Sequence, residues 1–161
     1  MFNLKAEFYL KIIFLFSFIA LISAFFIEYI LGHQPCNLCL IERIPYGLSI
    51  MIIMAIFLIK KNQKFLVMLL ILTFIFSFAI SFYHFGIEQG FFQESSVCGV
   101  KSSTEIVTKE DLLKQLSEKT ISCKDVTFRI FGLSLTSINI VINLLFIITL
   151  LKIFKEYENN N

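Results

Sequence analysis

Two cysteines separated by two residues, Cys36-Asn37-Leu38-Cys39, follow Pro35 directly, and Arg43 stands four residues beyond the second of them. A dithiol at this spacing closes a small disulfide ring and opens it when another thiolate attacks, so it can pass two electrons. On a helix, Arg43 lies at i+4 from Cys39 and i+7 from Cys36, and all three share one face. A guanidinium there stays charged and can hold a thiolate or an oxygen that becomes negative on reduction. Pro35 disfavours helix at Gln34 and so helps to fix a helix start at the pair. Free backbone N–H groups and the helix dipole stabilise a thiolate at such a start. An arginine alone would read as an interfacial residue reaching lipid headgroups. Beside this cysteine pair, the redox reading is the stronger one.

The elements that must position these residues are membrane helices. Of 161 residues 57% are hydrophobic, with 20 Phe and no Trp, too apolar for a soluble domain of this size. Ile12 to Ile27, Phe65 to Phe85 and Ile130 to Ile153 are nearly free of charge and, with their flanks, long enough to cross roughly 30 Å of hydrocarbon. Ile44 to Ile59 is shorter, but extending it back to Cys39 gives about 21 residues, or roughly 31 Å. Lys5 and Lys11 precede the first run as they would in a signal peptide, but no small-x-small cleavage site follows, and it is read as a span. One integral membrane domain over 1–161 is expected, with helices at about 10–30, 39–60, 65–85 and 130–153 and loops at about 31–38 and 86–129. The fold class is all-α: a four-helix transmembrane bundle with a short and a long loop on one side.

Orientation follows from the lysines. Lys5, Lys11, Lys60, Lys61, Lys64, Lys152 and Lys155 fall on the tails and one connection, whereas the short loop opposite holds only Arg43. By the positive-inside rule both termini are cytoplasmic, and the long loop of mixed charge does not weigh against this. The net charge of +2 is explained by topology, so nothing in it points to nucleic acid. All four cysteines then lie on the exocytoplasmic side, Cys36 and Cys39 in the first loop, Cys98 and Cys123 in the second. That segregation fits a compartment where disulfides persist.

Three chemistries compete for them. Two structural bridges are one, and a Cys98–Cys123 bridge closing about 25 residues would contribute on the order of 3 to 4 kcal/mol. A Cys36–Cys39 staple gains little by comparison. Four zinc-bound thiolates are another, but Cys98 and Cys123 form no matching knuckle. Redox catalysis is the third, and the surroundings of Cys36 and Cys39 favour it. In the long loop, Thr108 and Asp111 form a capping signature ahead of an apolar stripe, Leu112, Leu113 and Leu116, among charged residues. A short amphipathic helix on the membrane surface or on the loop's own core is expected there, leading to Cys123. Ser95, Ser96 and Gly99 around Cys98 suggest an accessible thiol.

The run Glu28-x-x-x-Gly32-x-x-Pro35-Cys36-x-Leu38-Cys39-x-x-Glu42-Arg43 resembles the first periplasmic loop and second-helix start of the DsbB family of disulfide bond formation proteins. The resemblance covers nearly the whole chain, including the second cysteine pair and Phe131-Gly132-Leu133-Ser134-Leu135 at the start of helix four. It implies a bacterial inner-membrane, quinone-dependent thiol oxidase that reoxidises a periplasmic DsbA-like thiol oxidoreductase and draws on the membrane quinone pool, ubiquinone or menaquinone. Carried over, Cys98 forms the mixed disulfide with the partner, Cys123 pairs transiently with Cys36, and Cys39 faces the quinone. Arg43 stabilises the charge that develops on the quinone, and His84 lies close to it. The long loop must then move between a partner-facing and a membrane-facing arrangement.

Helix four departs from the family by lacking a tryptophan after the Gly-Leu-Ser stretch, where Ser137, Ile138 and Asn139 stand. Asn139 and Asn143, at i and i+4, read best as interhelical hydrogen-bonding residues. The vitamin K epoxide reductase family places its cysteine pair near its last helix, so position argues against it. Glu28, near the end of helix one, pairs with Arg43 or reaches headgroups. Its presence keeps a second function class open, a small four-helix transporter with Glu28 as the ion-binding residue and purely structural disulfides. No second intramembrane acid or broken-helix signal accompanies it.

Overall fold

The computed structural model describes residues 4–59, 62–93, 98, 122–124, 129–130 and 133–159. Helices at Leu4–Tyr29, Asn37–Leu58, Gln63–Glu88 and Leu135–Tyr157 are long and apolar enough to cross a membrane, so the chain is an all-α four-helix membrane bundle. In chain order the elements are α1 (Leu4–Tyr29), α2 (Asn37–Ile41), α3 (Arg43–Leu58), α4 (Gln63–Glu88), the strands β1 (Arg129–Ile130) and β2 (Leu133–Ser134), and α5 (Leu135–Asn159). The amphipathic helix expected between Thr108 and Lys119 lies outside the described residues.

The second span is interrupted at Glu42, between α2 and α3. The carbonyl of Ile41 would ordinarily accept from residue 45, which is proline and has no N–H to give. Glu42 keeps a right-handed helical backbone (φ −63°, ψ −18°), so the chain continues across the break. Cys36 begins the span. Its backbone is extended (φ −70°, ψ 164°) and its Sγ accepts from the Cys39 N–H at 3.2 Å, as an N-cap side chain does.

The fourth helix starts at Leu135, later than the hydrophobic run suggests. β1 and β2 instead pair as a small antiparallel ladder, Arg129 opposite Ser134 and Ile130 opposite Leu133. Ser134 Oγ then accepts from the Ser137 N–H at 3.2 Å and caps α5.

The packing order of the helices leaves one gap. α3 packs against both α1 and α4, and α4 packs along α5, whereas α1 and α5 scarcely touch. The lysine-rich end is closed by a core that includes Leu10, Ile13, Ile53, Leu70, Phe74 and Leu150. Phe146 joins it edge-on to Phe74 at 5.1 Å and to Phe16 at 5.4 Å. Toward the other end this core gives way to polar side chains and cysteines. Large apolar residues such as Phe18, Ile22, Phe76 and Leu145 remain exposed on the outer faces, as lipid contact requires.

α4 stops in a Schellman motif. Gly90, at φ +79°, donates to Ile87 O at 3.0 Å, and Phe91 N–H donates to Gly86 O at 2.8 Å. This turn folds Phe92 back over Gly86, where a Cβ would run into the ring, and stacks it on Tyr83 at 5.7 Å. Gly86→Ala is therefore expected to destabilise the protein by about 1–3 kcal/mol through overpacking. Thermal unfolding in detergent checks this, and adding Phe92→Ala should recover part of the loss.

Candidate functional site

Sulfur from both loops gathers at the open end of the bundle. Cys36, Cys98 and Cys123 are buried with Leu38 and Ile87 in one cluster, and Cys39, Ile41, Ile80 and Tyr83 pack against it. Cys36 and Cys39 are joined by a disulfide, with their Cα atoms 5.1 Å apart. Cys98 and Cys123 are 1% and 3% exposed, although they belong to a segment far away in sequence. The sequence reading of Cys98 as an accessible thiol thus meets a buried one.

On the side where α1 and α5 diverge lies a cavity of about 290 Å³. Its α1 wall is Phe16, Ala20, Ser23, Ala24 and Ile27, one helical face on which the small residues make the room. Its α5 wall repeats the spacing with Leu135, Ile138, Asn139 and Ile142. Cys39, Glu42, Arg43 and Tyr46 complete it from the second span. Among the described residues, Cys39 is the one cysteine that lines the cavity, so the two ends of the disulfide face different neighbours.

Arg43 is held at this wall by two contacts. It forms an ion pair with Glu28, and its guanidinium lies 5.4 Å from the Phe25 ring centroid. The two charged side chains are 17% and 22% exposed. A carboxylate committed in this way is not the open ion site that the transporter reading needs.

His84 sits on the other side of the disulfide. It is not among the residues lining the cavity, where a direct hydrogen bond to a quinone would require it. The ring is 2% exposed, and its Nε2 lies 3.5 Å from Cys36 Sγ. Nδ1 lies 2.9 Å from Glu42 Oε1 and 3.3 Å from Thr136 Oγ1. Thr136 donates to Glu88 Oε1 at 2.8 Å, and Glu88 Oε2 is buried without a partner among the described residues. The second oxygen of Glu42 accepts from Asn139 Nδ2 at 3.0 Å. Asn139 also donates to Ser81 at 2.8 Å and accepts from the Tyr46 hydroxyl.

Four polar residues of this centre carry no site role in the sequence reading. Glu42 stood there as part of a motif, Asn139 as a helix-to-helix contact, and Glu88 and Thr136 not as site residues. The available signals are the i, i+4 spacing of His84 and Glu88, which puts both on one face of α4, and the i, i+3 spacing of Thr136 and Asn139 on α5. Asn139 ties three helices together, so Asn139→Leu strands Glu42, Ser81 and Tyr46 at once. We expect a loss of about 1–3 kcal/mol for the groups left unpaired, measured by thermal unfolding in detergent.

The arrangement suits thiol–disulfide chemistry better than metal binding. The donor atoms of Cys36, Cys39 and His84 lie within 4.8 Å of one another. Zinc requires thiolates, and here the two sulfurs are bonded to each other.

Residues 6–153 match the family model described as Disulfide bond formation protein DsbB. An uncharacterized protein of Rickettsia prowazekii (strain Madrid E) is 32% identical over 136 residues, which span 83% of this chain and 79% of that protein. No solved structure gives a significant match. The family match reaches across all four spans, short of their outermost ends, and takes in all four cysteines: the chain belongs to the DsbB family of disulfide bond formation proteins.

Proposed function

We propose that the chain is a thiol oxidase of the bacterial inner membrane that takes electrons from a periplasmic DsbA-like dithiol and passes them to a membrane quinone. The observation that carries this reading is the position of Cys39, which lines the cavity while Cys36 shares a buried cluster with Cys98 and Cys123. One bridge thereby has a side toward the second cysteine pair and a side toward a small-molecule site.

The residues present fit a quinone. The two apolar walls from α1 and α5 suit a flat ring with an isoprenoid tail, and a charged donor, Arg43, stands at one edge next to Cys39. When bound, a quinone supplies an acceptor for two electrons and two protons. Arg43 offers its fixed charge where an oxygen gains negative character, and the pair with Glu28 keeps the guanidinium aimed there. The lysine-rich ends of the helices are then cytoplasmic and the cysteines periplasmic.

The cysteines act in sequence. The cycle starts from a Cys98–Cys123 disulfide, whereas the two are not bridged in this structure: a partner thiolate attacks it at Cys98, and Cys123 leaves as the thiolate. Cys123 attacks Cys36, so that Cys39 is released as a thiolate at the cavity wall. When the partner's second thiol resolves the mixed disulfide, Cys98 recovers Cys123 and frees Cys36. Cys36 and Cys39 close again as their two electrons leave. Each step is an exchange between a thiolate and a disulfide sulfur, and the shared cluster keeps these sulfurs in one place.

The test combines purified protein, a reduced DsbA-like protein and a soluble quinone analogue, with quinone absorbance and partner thiols followed together. One quinone should be reduced for each partner dithiol oxidised. Dithiol oxidation without quinone loss, or no reaction, would refute the assignment.

A further inference from the structure

We propose that Cys36, His84 and Glu42 form a proton relay, in which His84 takes the thiol proton of Cys36 and Glu42 carries a proton on to the cavity wall. This deepens the quinone reading and rests on it for the second leg only.

The direction of the relay follows from the hydrogen bonds around the imidazole. The Thr136 hydroxyl gives its proton to Glu88, so toward His84 Nδ1 it can only accept. Glu42 Oε1, the nearer neighbour of the same nitrogen, is also an acceptor. Two acceptors within 3.3 Å of Nδ1 favour the ring proton there, and Nε2 then faces Cys36 Sγ at 3.5 Å, with Glu88 Oε1 farther off at 3.9 Å. Sulfur, imidazole and carboxylate thus stand in the order nucleophile, base and orienting acid. In the bridged state Cys36 has no proton to give, so the relay operates after reduction.

Glu42 is the link to the other side of the bridge. Arg43, its neighbour in sequence, is committed to Glu28, so the Glu42 carboxylate remains His84's partner. Asn139 from α5 anchors its second oxygen, and the residue lines the cavity together with Cys39. Among the described residues, the other titratable or charged groups around this centre are Glu88 and Tyr83 on α4, Tyr46 on α3, the clustered Cys98 and Cys123, and His33 and Arg43 at the cavity wall.

The balance is as follows. Cys36, freed as a thiolate, takes up the proton given off by the partner's second thiol, and closing the Cys36–Cys39 bond then breaks this S–H bond while Cys39 stays a thiolate. Two electrons go to the quinone, the oxidant. The Cys36 proton arrives at Nε2, the Nδ1 proton passes to Glu42, and Glu42 releases it toward one of the two O–H bonds of the quinol. The second proton comes from solvent.

The first leg is tested without quinone. In protein carrying Cys36 as its single cysteine (Cys39→Ser, Cys98→Ser, Cys123→Ser), iodoacetamide alkylation of Cys36 is timed with and without His84→Gln. At about pH 6.5 the His84 protein should react about tenfold faster, and at about pH 9.5 the two rates should converge. Equal rates at the lower pH, or one constant ratio at both, would overturn the first leg. Convergence at high pH shows that the thiol is reachable in both proteins, and matching thermal unfolding in detergent shows that the variant is folded. The second leg is tested with Glu42→Gln in the otherwise native chain. Quinone turnover should fall about tenfold at unchanged quinone KM. Wild-type turnover, or a change in KM alone, would overturn it. A native chain that reduces no quinone defeats the reading of the cavity, whereas the alkylation contrast stands or falls by itself.

Discussion

Cys39→Ser is expected to lower quinone reduction by on the order of a thousandfold or more, without preventing a first round of exchange with the partner dithiol. Cys39 is the cysteine among the described residues that lines the cavity. A serine there cannot form the bond that Cys36 must close, so electrons that enter through Cys98 and Cys123 have no way out. About one equivalent of partner dithiol should therefore be oxidised while quinone absorbance stays constant. Thiol trapping with separation under non-reducing conditions checks the first outcome, and absorbance the second. Quinone reduction at the native rate would place the exit elsewhere.

Arg43→Ala is expected to raise the quinone KM by about 10- to 100-fold and to leave the KM for the dithiol unchanged. Arg43 lines the cavity, whereas in the proposed mechanism the partner's thiols meet the second cysteine pair. Equal effects on both constants would contradict its role. The same variant leaves Glu28 partly buried without its cation, a cost of about 1–3 kcal/mol in stability once partial exposure is allowed for. Adding Glu28→Gln separates the two effects. It should restore much of the stability and none of the quinone affinity.

The helices were legible because membrane spans announce themselves locally, as long runs without charge. Their ends were less so. Pro45 breaks the second span by denying Ile41 a donor, a cue that was present but had no hydrophobic signature. The fourth helix begins late because Ser134 caps it after a strand pairing that the apolar run does not reveal. Cys36, Cys39 and Arg43 could be picked out together because they share one helical face. The pairing of Glu28 with Arg43 was one of two options the sequence left open. The polar centre around His84 was hidden for a different reason. Glu42, His84 and Thr136 are separated by dozens of residues and meet only because α4 packs along α5 and against α3. A histidine near a helix end looks alike in sequence whether it faces a ligand or a sulfur.

The small residues Ala20, Ser23 and Ala24 carry a similar lesson. On the sequence they are unremarkable members of an apolar run. In the bundle they open the wall of α1 toward α5, and that space is what sets a cavity beside the disulfide.

The most direct measurement starts with all four cysteines reduced and no partner protein. A single equivalent of a soluble quinone analogue is added, and quinone absorbance is followed against closure of the Cys36–Cys39 bridge by mass spectrometry. Native protein and a Cys98→Ser/Cys123→Ser variant should both reduce one quinone for each bridge closed, because the pair at the cavity needs no other cysteine to deliver its electrons. Quinone reduction that requires Cys98 and Cys123 but proceeds with Cys36 and Cys39 unbridged would contradict the assignment.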